Sequence, residues 1–339
     1  MSGYEGSDKL INGMLNTHGI NDLLNIPGVS DVAINRPGEL WFLPGMGEWQ
    51  RKEQPSLTYA SCMSMAKAMA TFHGRDINPQ SPVKTVELPG EERGLIVIPP
   101  ACSKNAVSFT LRKPSLTRLT LDDYIDSGRF ETVNVRDRMQ NELQGWQKEL
   151  AMELKKKNWR YVFNAAIEHR LNIIIFGGTG SGKTTFAKSI VDLYPRNRRM
   201  LTIEEVNELK LPYHPNHVHL IYGDYVTSKE LVTAAMRMKP DHVFLAEITG
   251  DEVWDYITLL NTGHPGSITT CHADGTLEGF SRTADLVKQS GIGGGLTFDY
   301  ILNKVKTAFD LVIYMKDTYI HEASYIPEEK LEILARGLS

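Results

Sequence analysis

Gly177-Gly178-Thr179-Gly180-Ser181-Gly182-Lys183-Thr184 closes a strongly apolar run at 172–176 and opens a helix-compatible stretch. A glycine-rich turn between a strand and a helix lets successive backbone N–H groups curl around a polyphosphate. The helix that follows presents its positive end to the same charge. Lys183 adds a point charge for the β and γ phosphates, and Thr184 offers a hydroxyl to Mg²⁺, whose remaining ligands are phosphate oxygens and water. The pattern therefore reads as a phosphate-binding loop, with Gly178, Thr179, Gly180, Ser181, Gly182, Lys183, Thr184 and Thr185 as its nucleotide-binding residues.

Working outward, apolar runs at 200–203, 218–222, 242–245, 268–271 and 311–314 alternate with helical patterns. That alternation predicts an α/β unit with a parallel sheet covered by helices on both faces. Upstream the pattern differs. Mixed three and four spacings over 7–24 suggest an amphipathic helix broken near Gly19, and a hairpin is expected around the turn Arg36-Pro37-Gly38-Glu39. A second helix over 56–72 and strands at 84–88, 95–98 and 106–112 complete an α+β region. Between the two, 131–157 is dense in Glu, Gln, Lys, Arg and Asn, the composition of a largely helical linker. The expected domains are 1–130, a linker at 131–157, and 158–339. Lys155-Lys156-Lys157 is read as a solvated helix end.

Length and charge bound the function. A chain of 339 residues accommodates two domains with separate cores. A formal charge of −4 opposes general coating of nucleic acid, and no direct sequence-specific DNA binding is expected. The three cysteines, Cys62, Cys102 and Cys271, form no Cys-x-x-Cys pair, which suits a reducing compartment and offers no zinc site. No segment is apolar over the length of a membrane span, so any membrane association is expected to be peripheral or through a partner.

A phosphate loop needs a carboxylate at the end of another strand, to hold the Mg²⁺ hydration shell or to orient the attacking water. Two places qualify. Val243-Phe244-Leu245-Ala246-Glu247 is a buried-type strand ending in an acid, and Leu201-Thr202-Ile203-Glu204-Glu205 ends in two. Two histidines, His264 and His272, flank the short strand at 268–271, and a histidine of this pair suits donation of an N–H to a γ-phosphate.

Taken together, these motifs resemble the secretion-superfamily ATPases, most closely the ring-forming traffic ATPase of type IV secretion and bacterial conjugation. The resemblance rests on the phosphate loop, Thr202-Ile203-Glu204-Glu205, Met236-Arg237-Met238-Lys239-Pro240-Asp241, the strand ending in Glu247, and the histidine-containing stretch 262–273. It implies a RecA-like phosphate-loop ATPase domain joined by a helical linker to a smaller N-terminal α+β domain. ATP and Mg²⁺ are the implied ligands, with Thr184 on the metal and Glu247 reaching it through water. Glu204, Glu247 and His272 are the implied catalytic residues. Ser108-Phe109-Thr110-Leu111-Arg112-Lys113-Pro114-Ser115 resembles the segment before the linker, so Arg112, and less directly Arg129, are the implied arginines lent by the first domain.

The resemblance further implies a homohexamer, peripheral to the cytoplasmic side of an inner membrane. It would work with other ATPases and inner-membrane components of a channel on protein or nucleoprotein cargo. A type II secretion or type IV pilus motor, and a nucleotide-gated docking platform with negligible turnover, are the alternatives. Two positions depart from the pattern: Thr249 stands where relatives carry an arginine, and Glu205 where aspartate is usual.

Overall fold

The computed structural model describes residues 2–45, 47–114, 118–133, 135 and 142–337, the side chains of 2–5 and 7 excepted. Residues 134 and 136–141 of the expected linker, and Ser115 of the segment resembling the family, lie outside the described residues. Two sheets organise the chain. The first unit runs α1 (Ser2–Thr17), α2 (Ile20–Leu24), β1 (Val29–Ile34), β2 (Gly38–Pro44), β3 (Gln50–Gln54), α3 (Tyr59–Phe72), β4 (Val83–Glu87), β5 (Arg93–Val97) and β6 (Ser108–Arg112). Its strands form an antiparallel sheet in the order β3-β2-β1-β6-β5-β4.

Gly19, at φ 66°, breaks the first helical stretch into α1 and α2 at the glycine that the sequence pointed to. Ile11, Leu15, Leu23 and Met65 from the three helices bury against Val32, Ile34, Ile96 and Phe109 on one face of the sheet. The opposite face carries a smaller cluster of Ala33, Trp41, Leu43 and Trp49. The strand β3, Gln50-Arg51-Lys52-Glu53-Gln54, has no apolar alternation, and its pairing along β2 creates it.

The second part continues α4 (Leu121–Asp126), α5 (Gly145–Lys155), α6 (Trp159–Glu168), β7 (Ile173–Gly177), α7 (Lys183–Val191), β8 (Met200–Glu204) and β9 (His217–Ile221). It then runs α8 (Ser228–Ala235), β10 (His242–Ile248), α9 (Glu252–Asn261), β11 (Ile268–Cys271), α10 (Thr276–Gln289), α11 (Phe298–Ala308), β12 (Leu311–Lys316), β13 (Tyr319–Ser324) and α12 (Pro327–Arg336). Among the described residues the sheet order is β13-β12-β7-β11-β10-β8-β9. Every pairing is parallel except β12 with β13, so the expected parallel sheet carries one antiparallel edge strand.

Strand periodicity splits the apolar run of β7 between two layers. Ile174 and Phe176 face the α8, α9, α10 and α11 side, while Ile173 and Ile175 face α5, α6 and α7. From within the stretch read as a linker, α5 contributes Leu150 to that second layer, and Lys156 at its end pairs with Glu153. Among the described residues no helix is long and apolar enough to cross a membrane.

The two sheets meet through a polar contact at the start of β8. Arg199, 0% exposed, donates to Asn35 Oδ1 (2.7 Å), Asn216 Oδ1 (2.8 Å), the Met238 carbonyl (2.9 Å) and Thr110 Oγ1 (3.3 Å), and its guanidinium lies over the Trp49 ring. Asn35 also donates directly to Asn216 (2.9 Å). These bonds compensate a buried cation by neutral acceptors and an aromatic face. Burial draws the guanidinium down to about 10, which leaves it charged at neutral pH.

Candidate functional site

In a parallel α/β sheet, ligands bind beyond the carboxyl ends of the strands. Here those ends gather the loop after β7, Glu204 at the end of β8, Glu247 next to the last residue of β10, and Thr270 and His272 at the end of β11. They line a cleft of about 280 Å³ together with Thr179, Gly180, Lys183, Thr184, Glu205, Val206, Glu208, Tyr222 and Ala246.

The loop geometry requires glycine at two points. A Cβ on Gly177, at φ +156°, would lie 2.4 Å from the Met315 carbonyl and 2.5 Å from Ser181 Oγ. Gly182 sits at φ +89° immediately before α7, a conformation that side chains disfavour. Because α7 begins at Lys183, its first-turn N–H groups, which have no acceptor inside the helix, stand at the cleft.

The Lys183 ammonium donates to the Gly177 carbonyl (2.7 Å) and the Gly178 carbonyl (2.9 Å), and lies 3.5 Å from His272 Nδ1. Burial lowers its pKa, and the nearby Glu247 opposes that shift. His272 Nε2 is 2.7 Å from Glu247 Oε1, so the imidazole bridges the lysine and the carboxylate. Glu204 is 1% exposed, and its Oε1 accepts from the backbone N–H of Glu208 (3.0 Å) and Leu209 (2.7 Å). Burial raises its pKa, only partly offset by those bonds.

Thr184 and Glu247 supply hard oxygen donors beside the loop, a set that fits Mg²⁺, which keeps much of its water and needs few protein ligands. The residues present are thus compatible with a Mg²⁺-bound polyphosphate.

Several expected residues fall elsewhere. Thr185 is exposed on α7 and does not line the cleft. His264 precedes β11, at the end of the strand opposite His272, so the strand separates the two histidines. Neither Arg112 nor Arg129 lines the cleft. Arg112, 54% exposed, is ion-paired with Asp31 (3.0 Å), its cross-strand partner on β1. Arg129 stacks over the ring of Tyr124. The physical reason lies in the docking of the first unit: β6 approaches the other sheet through Thr110 at Arg199, ahead of β8, whereas the cleft is at the far end of that strand.

Of the two departures, Glu205 lines the cleft, and Thr249 has a local role. Its N–H, with that of Gly250, donates to the buried Glu252 carboxylate at the start of α9 (2.7 and 3.0 Å). Tyr222 and Glu208 escaped the sequence reading. The one signal for Tyr222 is its place just past β9, where burial and then the surrounding carboxylates push its hydroxyl up to about 12.

Residues 129–316 match the family described as Type II/IV secretion system protein. The type IV secretion system protein VirB11 of Brucella suis is 36% identical over 322 residues, covering 91% of this chain and 88% of its own. That of Bartonella henselae is 36% identical over 88% of this chain and 87% of its own, and protein VirB11 of Rhizobium radiobacter is 32% identical over 87% of each. The crystal structure of the VirB11 ATPase from the Brucella suis type IV secretion system, in complex with sulphate, superposes with a TM-score of 0.93 at 34% identity, covering 99% of this chain and 100% of that one. The loop after β7, the carboxylates and His272 at the strand ends, and these matches together make the chain a member of the Type II/IV secretion system protein family, grouped with the VirB11 proteins of type IV secretion.

Proposed function

We propose that this chain hydrolyses ATP as a homohexameric motor at the cytoplasmic base of a type IV secretion or conjugation channel, powering pilus biogenesis and substrate translocation. The observation that carries the reading is the convergence of Lys183, Glu204, Glu247 and His272 on one cleft beside a phosphate-binding loop.

In this reading the loop N–H groups and Lys183 hold the β and γ phosphates. Mg²⁺, held by Thr184 directly and Glu247 through water, would neutralise charge developing on the phosphates. Glu204 orients the attacking water. Bound through its two nitrogens to Lys183 and Glu247, His272 exchanges one of these contacts for the γ-phosphate and so reports its presence.

Arg112 and Arg129 do not line the chain's own cleft, and both are exposed. They are therefore assigned to the cleft of an adjacent copy, where an arginine reaching the γ-phosphate contributes about 10³ to 10⁵ in rate. Residues 1–130 and 158–339 act as two bodies joined through 131–157, and nucleotide shifts their equilibrium by its differential affinity for the two arrangements. Association with the inner membrane is peripheral, through the channel's membrane components and companion ATPases, with protein or nucleoprotein as cargo.

Phosphate release measured at increasing chain concentration tests the reading. Activity should rise with assembly and vanish in Lys183→Ala. Mixing inactive Lys183→Ala with Arg112→Ala should restore part of the turnover, because some mixed clefts then carry an intact loop and an intact arginine. No phosphate release at any concentration would end the motor reading, and no restoration on mixing would end the assignment of Arg112 to a neighbour.

A further inference from the structure

The two oxygens of Glu204 meet different surroundings. Backbone N–H groups hold Oε1, while Oε2 is buried without a formed hydrogen bond. The side chain of Thr202 lies beside this carboxylate, two residues earlier and hence on the same face of β8. Parallel register sets Thr202 against His219 and Glu204 against Ile221. His219 Nδ1 lies 2.8 Å from Thr202 Oγ1 and 3.9 Å from Glu204 Oε2.

The ring is fixed from below and from the side. His217 packs against it at 4.7 Å between centroids. The strand carrying both histidines is gripped by the first unit at its two ends: Arg36 donates to the carbonyls of Pro215 (3.0 Å) and His217 (3.1 Å), and the Ile221 N–H donates to the Ala101 carbonyl (2.9 Å).

Burial keeps His219 neutral at physiological pH, drawing it down to about 3. A neutral imidazole has one N–H, and chemistry selects its place. With the proton on Nε2, a lone pair on Nδ1 would leave the Thr202 hydroxyl to donate to it and turn oxygen lone pairs toward the carboxylate. With the proton on Nδ1, the imidazole donates to Thr202 Oγ1, which frees the Thr202 hydroxyl to turn toward Glu204 Oε2. The second arrangement offers the buried Oε2 the donor it lacks, and so fixes a carboxylate whose residue lines the cleft.

We infer that Thr202 and His219 are positioning residues: a two-membered hydrogen-bond relay that aims Glu204 at the attacking water. The inference rests on the reading of Glu204 as the residue that orients that water. It also gives the first unit a physical route to the reaction, since β9 carries His219 and the first unit holds β9.

The test uses the full chain, with kcat and KM from phosphate release and affinity from a fluorescent ATP analogue. His219→Phe and Thr202→Val should each lower kcat on the order of tenfold, the scale of losing a hydrogen bond to a charged group, while KM and nucleotide affinity stay at the parental values. His219→Asn, whose amide N–H falls near the place of Nδ1–H, should recover most of that loss. Thr202→Val is isosteric and suits a strand, so it carries the test even where His219→Phe folds poorly.

Parental kcat in both Thr202→Val and His219→Phe, with Glu204→Gln inactive, would overturn the relay alone. His219→Asn no better than His219→Phe would overturn the donor role. Parental turnover in Glu204→Gln would remove the reading of Glu204 itself, and the relay with it.

Discussion

Gly279→Ala sets two effects of opposite sign against each other. Gly279 lies in α10, where alanine is favoured over glycine by about 1 kcal/mol on helix propensity. The added methyl, however, would stand 2.4, 2.4 and 2.5 Å from three ring carbons of Phe176. Carbon atoms in good contact are roughly 3.5–4.0 Å apart, so the overlap exceeds about 1 Å on three atoms at once. The ring has little room to retreat: Phe176 is fully buried in a central strand and meets Phe280 edge-on.

Overpacking a well-packed core typically costs about 1–3 kcal/mol, and this overlap belongs at the upper end, so the net change is a loss of about 2 kcal/mol. For a unit of this size that lowers Tm by about 4–8 °C. The strain also reaches the site, because Phe176 immediately precedes Gly177, whose backbone is confined by Met315 and Ser181. Thermal unfolding with and without ATP should show a lower Tm and a smaller stabilisation by nucleotide. A Tm above the parent's would refute the packing argument and leave helix propensity as the dominant effect.

Glu247→Gln should bind ATP yet release little phosphate, a pairing checked by nucleotide-analogue titration beside single-turnover hydrolysis; fast turnover would move the metal role to another residue. Arg199→Met leaves Asn35 Oδ1 and the Met238 carbonyl without the donor they have now, a loss of about 2 kcal/mol or more, read by denaturant unfolding. Acid should destabilise the fold through buried histidines. Burial depresses His217 from 6.5 to about 4 and His219 and His242 from 6.5 to about 3. The unfolded chain therefore binds protons that the folded chain refuses. Their contribution is complete above pH 6.5 and declines as pH falls toward 4 and then 3, so Tm should drop across that window and drop less in His242→Phe.

The contiguous motifs were legible because they encode backbone geometry over a few residues. Glycines at 177 and 182, a lysine and a threonine at the helix start, and an apolar strand before them specify this strand–loop–helix geometry wherever the rest of the chain goes. Period-two and period-3.6 patterns likewise located β7, β8, β10 and β11, and with them the strand-end acids Glu204 and Glu247. Where local pattern is missing, sequence is silent. The charged strand β3 exists because β2 offers a ladder, and the exposed edge strand β13 because β12 does.

Tertiary structure alone decided which distant residues share a site. It brought His272 to Lys183 and Glu247 while leaving His264 at the other end of the same strand. By seating the first unit on Arg199, it turned Arg112 toward Asp31 and away from the chain's own cleft. It also set His219 beneath Thr202 and Glu204, a contact that depends on the register of two parallel strands joined through a long crossover. Loop chemistry is a property of eight consecutive residues; strand register and the docking of one sheet on another are sums over many long-range contacts, and no single stretch of sequence contains them.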